Sequence, residues 1–512
     1  MSGLPLRTLV DVWANSVAKW PRKAAVVAGG RDYSYGEIDE LSGRLARRLR
    51  DDFGIRRGDT VSVAMPNCIE FYITYWAVMK LGAVLAPVNT RLKFDELHHV
   101  LTNTGSTTLL THGETWPGVA EPARGAANLE HLIGADTGGT DLLAFDDLLA
   151  PVEPLPPDLT VQPDDLAIVM HTSGTTGKPK GVVMTHGDLV FNNLMFVVSF
   201  GWVHEDRHLL VIPLFHCTAC YSAVPTSVYL GSTVVIAPRP DVAELAELIQ
   251  AHGVTTFLGV PTLFHFFVSM KRLPEFDLSR LRMICYSGSP MPRVTIERLR
   301  AKFPSVRLHN FYGMTETISN THVLPSEDAL TRPGAVGKVL PGVGMKVADD
   351  AGAEVGPDVV GELCLRRENV IRGYFGQPGL LEQSITEDGW FRTGDLAQVD
   401  EQGYVYLRGR SKDMIIVAGE NVYANEVEAV LHNHPKVLEA AVIGVEATGA
   451  RAYMGEVVKA FVVREEGEEL SDAEVKRHCA ESLPSYKVPQ IVEFIDRLPR
   501  NPSGKVVKHQ LQ

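Results

Sequence analysis

The stretch Thr172-Ser-Gly-Thr-Thr-Gly-Lys-Pro-Lys180 decides how this sequence is interpreted. It follows an apolar run at residues 166–170, which predicts a buried strand. Its small residues allow backbone N–H groups to converge on an anion, and its lysines offset phosphate charge. It is not a Walker A loop, because Gly174 and Gly177 are too close together and Pro179 stands in place of Ser or Thr. The alternative, a flexible turn between two strands, does not require so many Gly, Ser and Thr residues followed by lysines.

Outward from this stretch, one unit recurs along the chain: an apolar run, a glycine-rich or polar loop, and a segment of helical periodicity. Further apolar runs occupy residues 209–212, 233–237, 255–258, 283–286 and 307–311, and helical segments occupy residues 242–252 and 294–303. This alternation predicts parallel sheets with helices on both faces, and residues 24–110 repeat it. Ligands of such sheets lie outside the carboxyl ends of the strands, so we expect the shared site there.

Two segments differ from this alternation. Residues 113–163 are rich in Gly, Pro and Asp, and we expect an irregular surface connection there. Strand and turn signals dominate between residues 337 and 408, which predicts a β-rich subdomain. The predicted fold class is therefore α/β, with a large N-terminal domain of stacked α/β sheets, a β-rich subdomain, and a small α/β C-terminal domain of about 100 residues.

The bulk composition excludes several classes of protein. At 512 residues the chain is too long for one hydrophobic core, and its net charge of -13 disfavours non-specific nucleic-acid binding. Six cysteines do not make a disulfide framework, and the pair Cys217 and Cys220 lacks further metal-ligand spacing. No signal peptide and no apolar run of membrane-spanning length is found, so we expect a cytoplasmic protein without a transmembrane segment. The sequence leaves open whether the protein forms a homodimer.

Four later motifs accompany the opening stretch: Asn310-Phe-Tyr-Gly-Met-Thr-Glu316, Thr393-Gly-Asp395, residues 409–423, and Asn501-Pro-Ser-Gly-Lys505. In this order they resemble the adenylate-forming superfamily of acyl-CoA synthetases, peptide-synthetase adenylation domains and luciferases. The ordered matches run from residue 172 to residue 505. The resemblance implies an N-terminal adenylate-forming domain at residues 1–408, a hinge at residues 409–413 and a mobile C-terminal lid domain at residues 414–512.

The resemblance also implies a set of nucleotide-binding and catalytic residues. Glu316 suits Mg²⁺, because a hard cation prefers carboxylate and phosphate oxygens. Asp395 accepts hydrogen bonds from a ribose diol, and Lys505 stabilises the negative charge that develops during adenylation. The catalytic residues are then Lys505, Thr315, Glu316 and His216. The residues expected to bind ATP or AMP are Thr172, Ser173, Gly174, Thr175, Thr176, Gly177, Lys178, Lys180, Gly288, Ser289, Pro290, Asn310, Phe311, Tyr312, Gly313, Met314, Thr315, Asp395, Arg410 and Lys505.

The acyl and thiol sides of the site follow from the same resemblance. His216 resembles an aromatic gate between the ATP and acyl sites, and the expected substrate pocket comprises His216, Cys217, Tyr221, Gly288 and Thr317. No Lys or Arg stands out as a counter-ion for a second carboxylate, and no Asp stands out as an anchor for an α-amino group. A monocarboxylic aryl or medium-chain aliphatic acid is therefore favoured.

Lys412 is the expected hinge residue, and Gly419 and Glu420 are expected to line the coenzyme A tunnel. Two residues depart from the family pattern in this region: Ala418 stands where many relatives have Gly, and Ala424 stands where Pro is usual. Both departures fall in the part that serves thiol transfer, so they bear on coenzyme A as the acceptor more than on adenylation.

The predicted function is an ATP-dependent acid–thiol ligase. It adenylates a carboxylic acid to acyl-AMP with release of pyrophosphate and transfers the acyl group to coenzyme A, with Mg²⁺ as the metal. One alternative keeps adenylation and changes the acceptor to a carrier protein, an amine, or nitrite activation for diazotisation. A second alternative is a nucleotide-sensing or scaffolding protein with an inactive site, which the intact Lys505, Glu316 and Asp395 disfavour.

Overall fold

The structure is a computed structural model that describes residues 6–172, 178–289, 291–366, 370–410, 413–418, 420–447, 455–500 and 506–511. Its strands are β1 Ala24–Ala28, β2 Arg31–Ser34, β3 Thr60–Ala64, β4 Val84–Pro87, β5 Thr108–His112, β6 His131–Ala135, β7 Leu143–Ala144, β8 Leu166–Thr172, β9 Lys180–Thr185, β10 Arg207–Leu210, β11 Thr233–Ile236, β12 Thr256–Gly259, β13 Met283–Tyr286, β14 Arg307–Met314, β15 Ser319–Leu324, β16 Lys338–Val339, β17 Met345–Ala348, β18 Gly361–Arg366, β19 Trp390–Val399, β20 Val405–Arg410, β21 Ile415–Val417, β22 Glu420–Val422, β23 Val437–Glu446, β24 Glu456–Arg464 and β25 Ile491–Phe494.

The α-helices are α1 Leu9–Lys19, α2 Tyr35–Asp51, α3 Ile69–Lys80, α4 Phe94–Asn103, α5 Trp116–Gly125, α6 Phe145–Leu148, α7 His186–Phe200, α8 Val224–Leu230, α9 Val242–His252, α10 Pro261–Ser269, α11 Arg293–Lys302, α12 Ala424–His432 and α13 Asp472–Ala480. A π-helix covers Thr218–Ala223, and short 3-10 turns cover Leu273–Glu275, Thr315–Thr317, Ser326–Asp328, Glu382–Ser384 and Lys508–Gln510.

Helix α9 illustrates how local sequence sets the boundaries of these elements. The Asp241 side chain accepts hydrogen bonds from the N–H groups of Ala243 and Glu244, both at 3.0 Å, and so caps the N-terminus. Gly253 ends the helix in the left-handed region at a φ of 56°, where glycine carries no Cβ penalty. The predicted helix at residues 242–252 therefore begins and ends where expected. Asp241 has a structural role in this cap.

Two large sheets confirm the predicted α/β class. One has nine strands in the order β16-β15-β14-β13-β12-β10-β11-β1-β2, and the other has seven in the order β7-β6-β5-β3-β4-β8-β9. Pairing is parallel from β14 through β1 in the first sheet and from β7 through β8 in the second. Antiparallel strands, including β15 and β9, complete the edges. The glycine-rich stretch that begins at Thr172 therefore follows β8, and the motif that ends at Glu316 lies at the carboxyl end of β14, as the sequence predicted.

The β-rich region and the C-terminal region form separate, smaller sheets. Strands β17 to β20 form a four-stranded antiparallel sheet, as the strand and turn signals predict. Beyond it, β21 pairs with β22, and β23, β24 and β25 form a three-stranded sheet. Helices α12 and α13 accompany these last strands.

The prediction of an irregular connection at residues 113–163 is wrong in its central part. The structure places α5, β6, β7 and α6 there, and β5, β6 and β7 continue the seven-stranded sheet. Pro117 lies in the first turn of α5, where its missing N–H has no helical partner to lose, and Pro122 lies on a buried part of the same helix. A rule that treats prolines as helix breakers therefore fails to predict α5, which tertiary packing stabilises.

Hydrophobic packing divides the described chain near residue 410. The largest core cluster joins buried residues of the nine-, seven- and four-stranded sheets, such as Val234, Ile168 and Leu363. A separate cluster includes Val427 and Val458 and draws on residues beyond 414. Polar contacts link the two parts: Thr262 on α10 donates to Glu439 at 3.5 Å, and the ring of His265 meets Glu465 at 3.2 Å.

Among the described residues, no helix combines the length and the apolar character needed to cross a membrane.

Several buried histidines make the stability of this fold depend on pH. His208 donates to or accepts from the hydroxyls of Thr256 and Ser232 at 2.7 and 2.9 Å, and burial lowers its pKa to about 3. Burial likewise lowers the pKa of His322 to about 3 and that of His186 to about 4. The unfolded chain binds a proton at each of these rings near pH 6.5, so stability is present above that pH and is lost as the pH falls toward about 4.

We therefore expect the melting temperature to fall by several degrees between about pH 7.5 and about pH 5. Replacing His208 with Gln removes one titrating ring, so the variant should be less stable than the wild type at the higher pH and closer to it at the lower pH. His509→Gln, at an exposed position, serves as the control and should run parallel to the wild type. A constant gap between His208→Gln and the wild type across the pH range would contradict this account.

Candidate active site

The hairpin of β8 and β9 holds the glycine-rich stretch. Thr172 and Lys180 are paired partners in its antiparallel ladder, so the residues between them connect two adjacent strand ends. The His99 ring donates to the carbonyl of Pro179 at 3.1 Å, and the His171 ring donates to Asn103 at 2.9 Å. These contacts anchor the base of the loop to α4. Lys178 is exposed and Lys180 is half-buried.

A second part of the site is the turn after β14, where Glu316 lies. The Thr172 hydroxyl donates to the Glu316 carboxylate at 3.5 Å, which brings the two motifs together across the two sheets. The Ile371 N–H donates to the Glu316 carbonyl at 3.0 Å and fixes the turn. Ile318 and Ser319 follow with φ values of 55° and 73°, in the left-handed region that non-glycine residues rarely adopt. Backbone strain of this kind clusters at functional sites.

Gly313 is required for a structural reason. A Cβ atom added there would lie 1.6 Å from the Ser319 carbonyl oxygen, because β14 and β15 pair with an irregularity at this point. The glycine therefore permits the tight return of the chain after the Glu316 turn.

The third part of the site is Asp395, which is 7% exposed on β19. Its carboxylate accepts from the Tyr312 hydroxyl at 2.6 Å and pairs with the Arg410 guanidinium at 2.6 Å. Burial, with the Asp395 charge as a further cause, raises the pKa of Tyr312, so this phenol stays a donor. A carboxylate held in this way has further lone pairs that can accept from hydroxyl donors.

His216, the residue expected on the acyl side, is half-buried after β10. Its Nδ1 accepts from the Thr218 N–H at 3.3 Å, and its carbonyl accepts from the N–H groups of Ala219 and Cys220. Cys217 and Tyr221 are buried beside it.

The structure places the remaining expected residues as follows. Asn310 donates from Nδ2 to the Ala335 carbonyl at 2.9 Å, so an adenine amine would be met by its Oδ1. Phe311 is buried with its ring 5.4 Å from that of Phe200, and it is paired with Val323 in the β14–β15 ladder. The Thr317 hydroxyl bonds within its own turn, to Met314 and Ser319.

Gly288 and Ser289 are exposed after β13, and the φ of 93° at Gly288 favours glycine. Met314 and Thr315 are half-buried, in the turn that presents Glu316. Arg410 is the last residue of β20 and is paired with Asp395 in the ladder, so the predicted hinge segment begins inside that strand.

Glu420 is exposed on β22, where it is paired with Val417 of β21. Several expected residues lie outside the described part of the chain: Ser173, Gly174, Thr175, Thr176, Gly177, Pro290, Lys412, Gly419 and Lys505.

Sequence reasoning missed residues that hold the site from a distance. Asn67 accepts from the Leu214 N–H at 2.8 Å and donates to the Ile212 carbonyl at 3.1 Å, which positions the segment before His216. Tyr374 places its ring 5.4 Å from the Lys180 ammonium. Asn67 precedes Leu214 by 147 positions, so no spacing pattern could have linked them.

Comparison with known proteins agrees with this arrangement. Residues 13–375 match the model of the AMP-binding enzyme family, and residues 426–505 match the AMP-binding enzyme C-terminal domain. A feruloyl-CoA synthase from an Amycolatopsis species is 35% identical over 492 residues, covering 96% of both chains. The long-chain-fatty-acid–CoA ligase FadD13 of Mycobacterium tuberculosis is 33% identical over 494 residues, covering 96% of this chain and 95% of that protein.

Among solved structures, the anthranilate CoA ligase AuaEII in complex with anthranoyl-AMP has a TM-score of 0.90 at 26% identity, covering 100% of this chain and 98% of that one. The fold is thus that of the adenylate-forming enzymes, as the motifs predicted. The chain belongs to the AMP-binding enzyme family, as a ligase of the acyl-CoA synthetase type.

Replacing Asp395 with Asn should raise the KM for ATP by about 10-fold or more, because the charge opposite Arg410 is lost and one carboxylate oxygen becomes a donor. The measurement is steady-state kinetics over a range of ATP concentrations. Asp400→Asn is a matched control, since Asp400 pairs with Arg332 and accepts from Tyr406 on the same sheet. Equal KM values for ATP in the two variants would refute the nucleotide role of Asp395.

Ala418 adopts a φ of 52° directly after β21. Because an L-residue with a Cβ is disfavoured there, Ala418→Gly should stabilise the C-terminal part by about 0.5–1 kcal/mol in urea unfolding. Ala424→Gly, at the buried first residue of α12, should instead destabilise it by a similar amount. A change of the same sign in the free energy of unfolding of both variants would show that the left-handed backbone at Ala418 does not destabilise the protein.

Proposed function

We propose that this protein is an ATP-dependent acid–thiol ligase that adenylates a monocarboxylic aryl or medium-chain acyl acid and transfers the acyl group to coenzyme A in the cytoplasm. The observation that carries the proposal is the contact between Thr172, at the mouth of the phosphate loop, and Glu316, at the end of β14. The buried Asp395, held by Tyr312 and Arg410, supplies the ribose end of the same site.

The reaction has two steps. A carboxylate oxygen of the acid attacks the α-phosphorus of ATP, the new C–O–P linkage forms, and the bond to pyrophosphate breaks. The thiolate of coenzyme A then attacks the acyl carbon, AMP leaves, and the thiol proton is released to solvent. Thr315 is proposed to donate to the α-phosphate, and Lys505 to stabilise the charge that develops in the first step.

The residues around Glu316 fit a magnesium ion. A half-buried carboxylate beside the Thr172 hydroxyl offers hard oxygen donors, which Mg²⁺ prefers together with phosphate oxygens. When bound, the ion would neutralise charge on the phosphates. The chain's own contribution is to fix the backbone of Glu316, through the Ile371 N–H, so that its carboxylate lies beside Thr172, where the phosphate loop begins.

The division of the chain is part of the proposal. We assign residues 1–408 to the adenylate-forming domain, residues 409–413 to the hinge and residues 414–512 to the C-terminal lid. The separate hydrophobic clusters on either side support this division. Lys412 would act as the hinge residue, and Gly419 and Glu420 would line the path of the thiol.

The relatives support the proposed acid and the proposed acceptor, and the buried residues after His216 support the proposed acid. Cys217, Cys220 and Tyr221 are buried around the segment after His216, which suits an aryl or alkyl group. One relative is a feruloyl-CoA synthase and one solved neighbour is an anthranilate CoA ligase, so aromatic acids are handled on this fold.

The test is acid-dependent exchange of radioactive pyrophosphate into ATP across a panel of aryl and aliphatic acids, followed by mass analysis of products with coenzyme A or with a carrier protein. We expect exchange with a subset of acids and a coenzyme A thioester as the product. Lys505→Ala should lower exchange by at least about 100-fold and affect thioester formation from supplied acyl-AMP much less. No exchange with any acid would refute adenylation, and acylation of the carrier protein alone would refute the acceptor.

A further inference from the structure

One carboxylate of the C-terminal part contacts residues on both sides of the division near residue 410. Glu439 lies on β23, and its Oε1 accepts from the Thr262 hydroxyl of α10 at 3.5 Å. The same oxygen accepts from the guanidinium of Arg500, which follows β25. The Glu439 side chain is 17% exposed, so these contacts are largely shielded from water. Thr262, Glu439 and Arg500 together form what we call the Glu439 bridge.

A second contact supports the bridge from the same end of the C-terminal sheet. The ladder between β23 and β24 shifts its register just before Glu439, and irregularities of this kind change the direction of side chains. Glu465 directly follows β24 at this end and lies 3.2 Å from the ring of His265. Positions 262 and 265 are three apart, so Thr262 and His265 share one face of α10. The C-terminal part thus meets that face through two carboxylates.

Arg500 directly precedes the motif that ends at Lys505. It forms an antiparallel bridge with Val506, which directly follows the motif, so the residues that flank the motif are adjacent. Val506 and Leu438 of β23 pack against the same apolar cluster. The flanks of the motif are therefore tied to the end of the C-terminal sheet where Glu439 lies.

Helix α10 places Thr262 near the expected nucleotide site. The helix begins just after the carboxyl end of β12, which pairs with β13 in the nine-stranded sheet. Gly288 follows β13, and a Cβ atom added to it would lie 3.9 Å from the side chain of Val260, two residues before Thr262. The Glu439 bridge therefore joins the edge of the sheet that carries the expected nucleotide residues to the flank of the C-terminal motif.

We propose that Glu439 is a positioning residue for adenylation: through the Glu439 bridge it holds the flank of the Lys505 motif against α10 during this step. The inference rests on the proposed function, which gives Lys505 its role in adenylation. An ammonium stabilises developing charge only where it is held close to that charge, and a displacement of about 1 Å can cost about 100-fold in rate. Attack of the thiol on acyl-AMP does not use Lys505 in the proposed function, so that step does not need the bridge.

The experiment measures the two half-reactions separately in Glu439→Gln, which preserves the size of the side chain and removes its charge. Pyrophosphate exchange, with the acid that the wild type uses best, gives kcat and the KM for ATP, and supplied acyl-AMP with coenzyme A gives the rate of thioester formation. We expect kcat for exchange to fall at least about 5-fold, with the KM for ATP and the rate of thioester formation each within about 2-fold of the wild type. A variant that is merely less folded would lose both reactions in parallel.

Thr262→Val removes the same bridge from the other side. It should lower exchange in the same selective way, and the double variant with Glu439→Gln should be no slower than Glu439→Gln alone, because both changes break one set of contacts. Glu493→Gln is the matched control, since Glu493 pairs with Lys459 at 2.9 Å within the C-terminal sheet. It should leave both half-reactions unchanged.

A loss of thioester formation as large as the loss of exchange in Glu439→Gln would overturn the positioning role of Glu439. Exchange in Glu439→Gln as fast as in Glu493→Gln would overturn it as well. Either result would leave the proposed adenylation standing, whereas absence of exchange with every acid in the wild type would overturn both.

Discussion

The buried carboxylate of Asp395 is the constraint on which the geometry of the site depends. A charge removed from water must be paired, and here the partners come from different sheets: Tyr312 from the end of β14 and Arg410 from the end of β20. The contact therefore locks the nine-stranded sheet to the four-stranded sheet at the place where both carry site residues. Arg410 is also the last residue of β20, so the same ion pair holds the end of that strand.

Elsewhere in the site, the chain departs from regular structure in several places. Ile318 and Ser319 adopt left-handed backbone conformations after the Glu316 turn, and residues 218–223 form a π-helix. Such conformations persist only when their surroundings hold them. Here the Ile371 N–H donates to the Glu316 carbonyl and holds the turn, and the Asn192 side chain on α7 donates to the Tyr221 carbonyl and holds the π-helix. The site is thus built by long-range hydrogen bonds that fix strained turns at the ends of regular strands.

The C-terminal part has its own hydrophobic cluster and meets the rest of the protein through polar contacts, among them those of Thr262 and His265. Polar interfaces of this kind separate at lower cost than apolar ones, which is compatible with a lid that changes its position. Ala418 in a left-handed turn adds local strain in the same part.

The amino-acid sequence by itself determined the fold class, the positions of several strands and of two helices, and the enzyme family. Local patterns carry this information: Asp241 and Gly253 mark the ends of α9, and the apolar run before Thr172 marks β8. The two helices and two strands within residues 113–163 were missed because prolines and glycines there are tolerated through packing that no local pattern records.

Only the tertiary structure decided how the motifs meet. Thr172 and Glu316 are 144 positions apart, Tyr312 and Asp395 are 83 apart, and Asn67 reaches Leu214 across 147. Contacts of this kind depend on the order of strands in the sheets, which residue spacing does not encode. Whether a buried polar group has a hydrogen-bond partner follows from its three-dimensional surroundings in the same way.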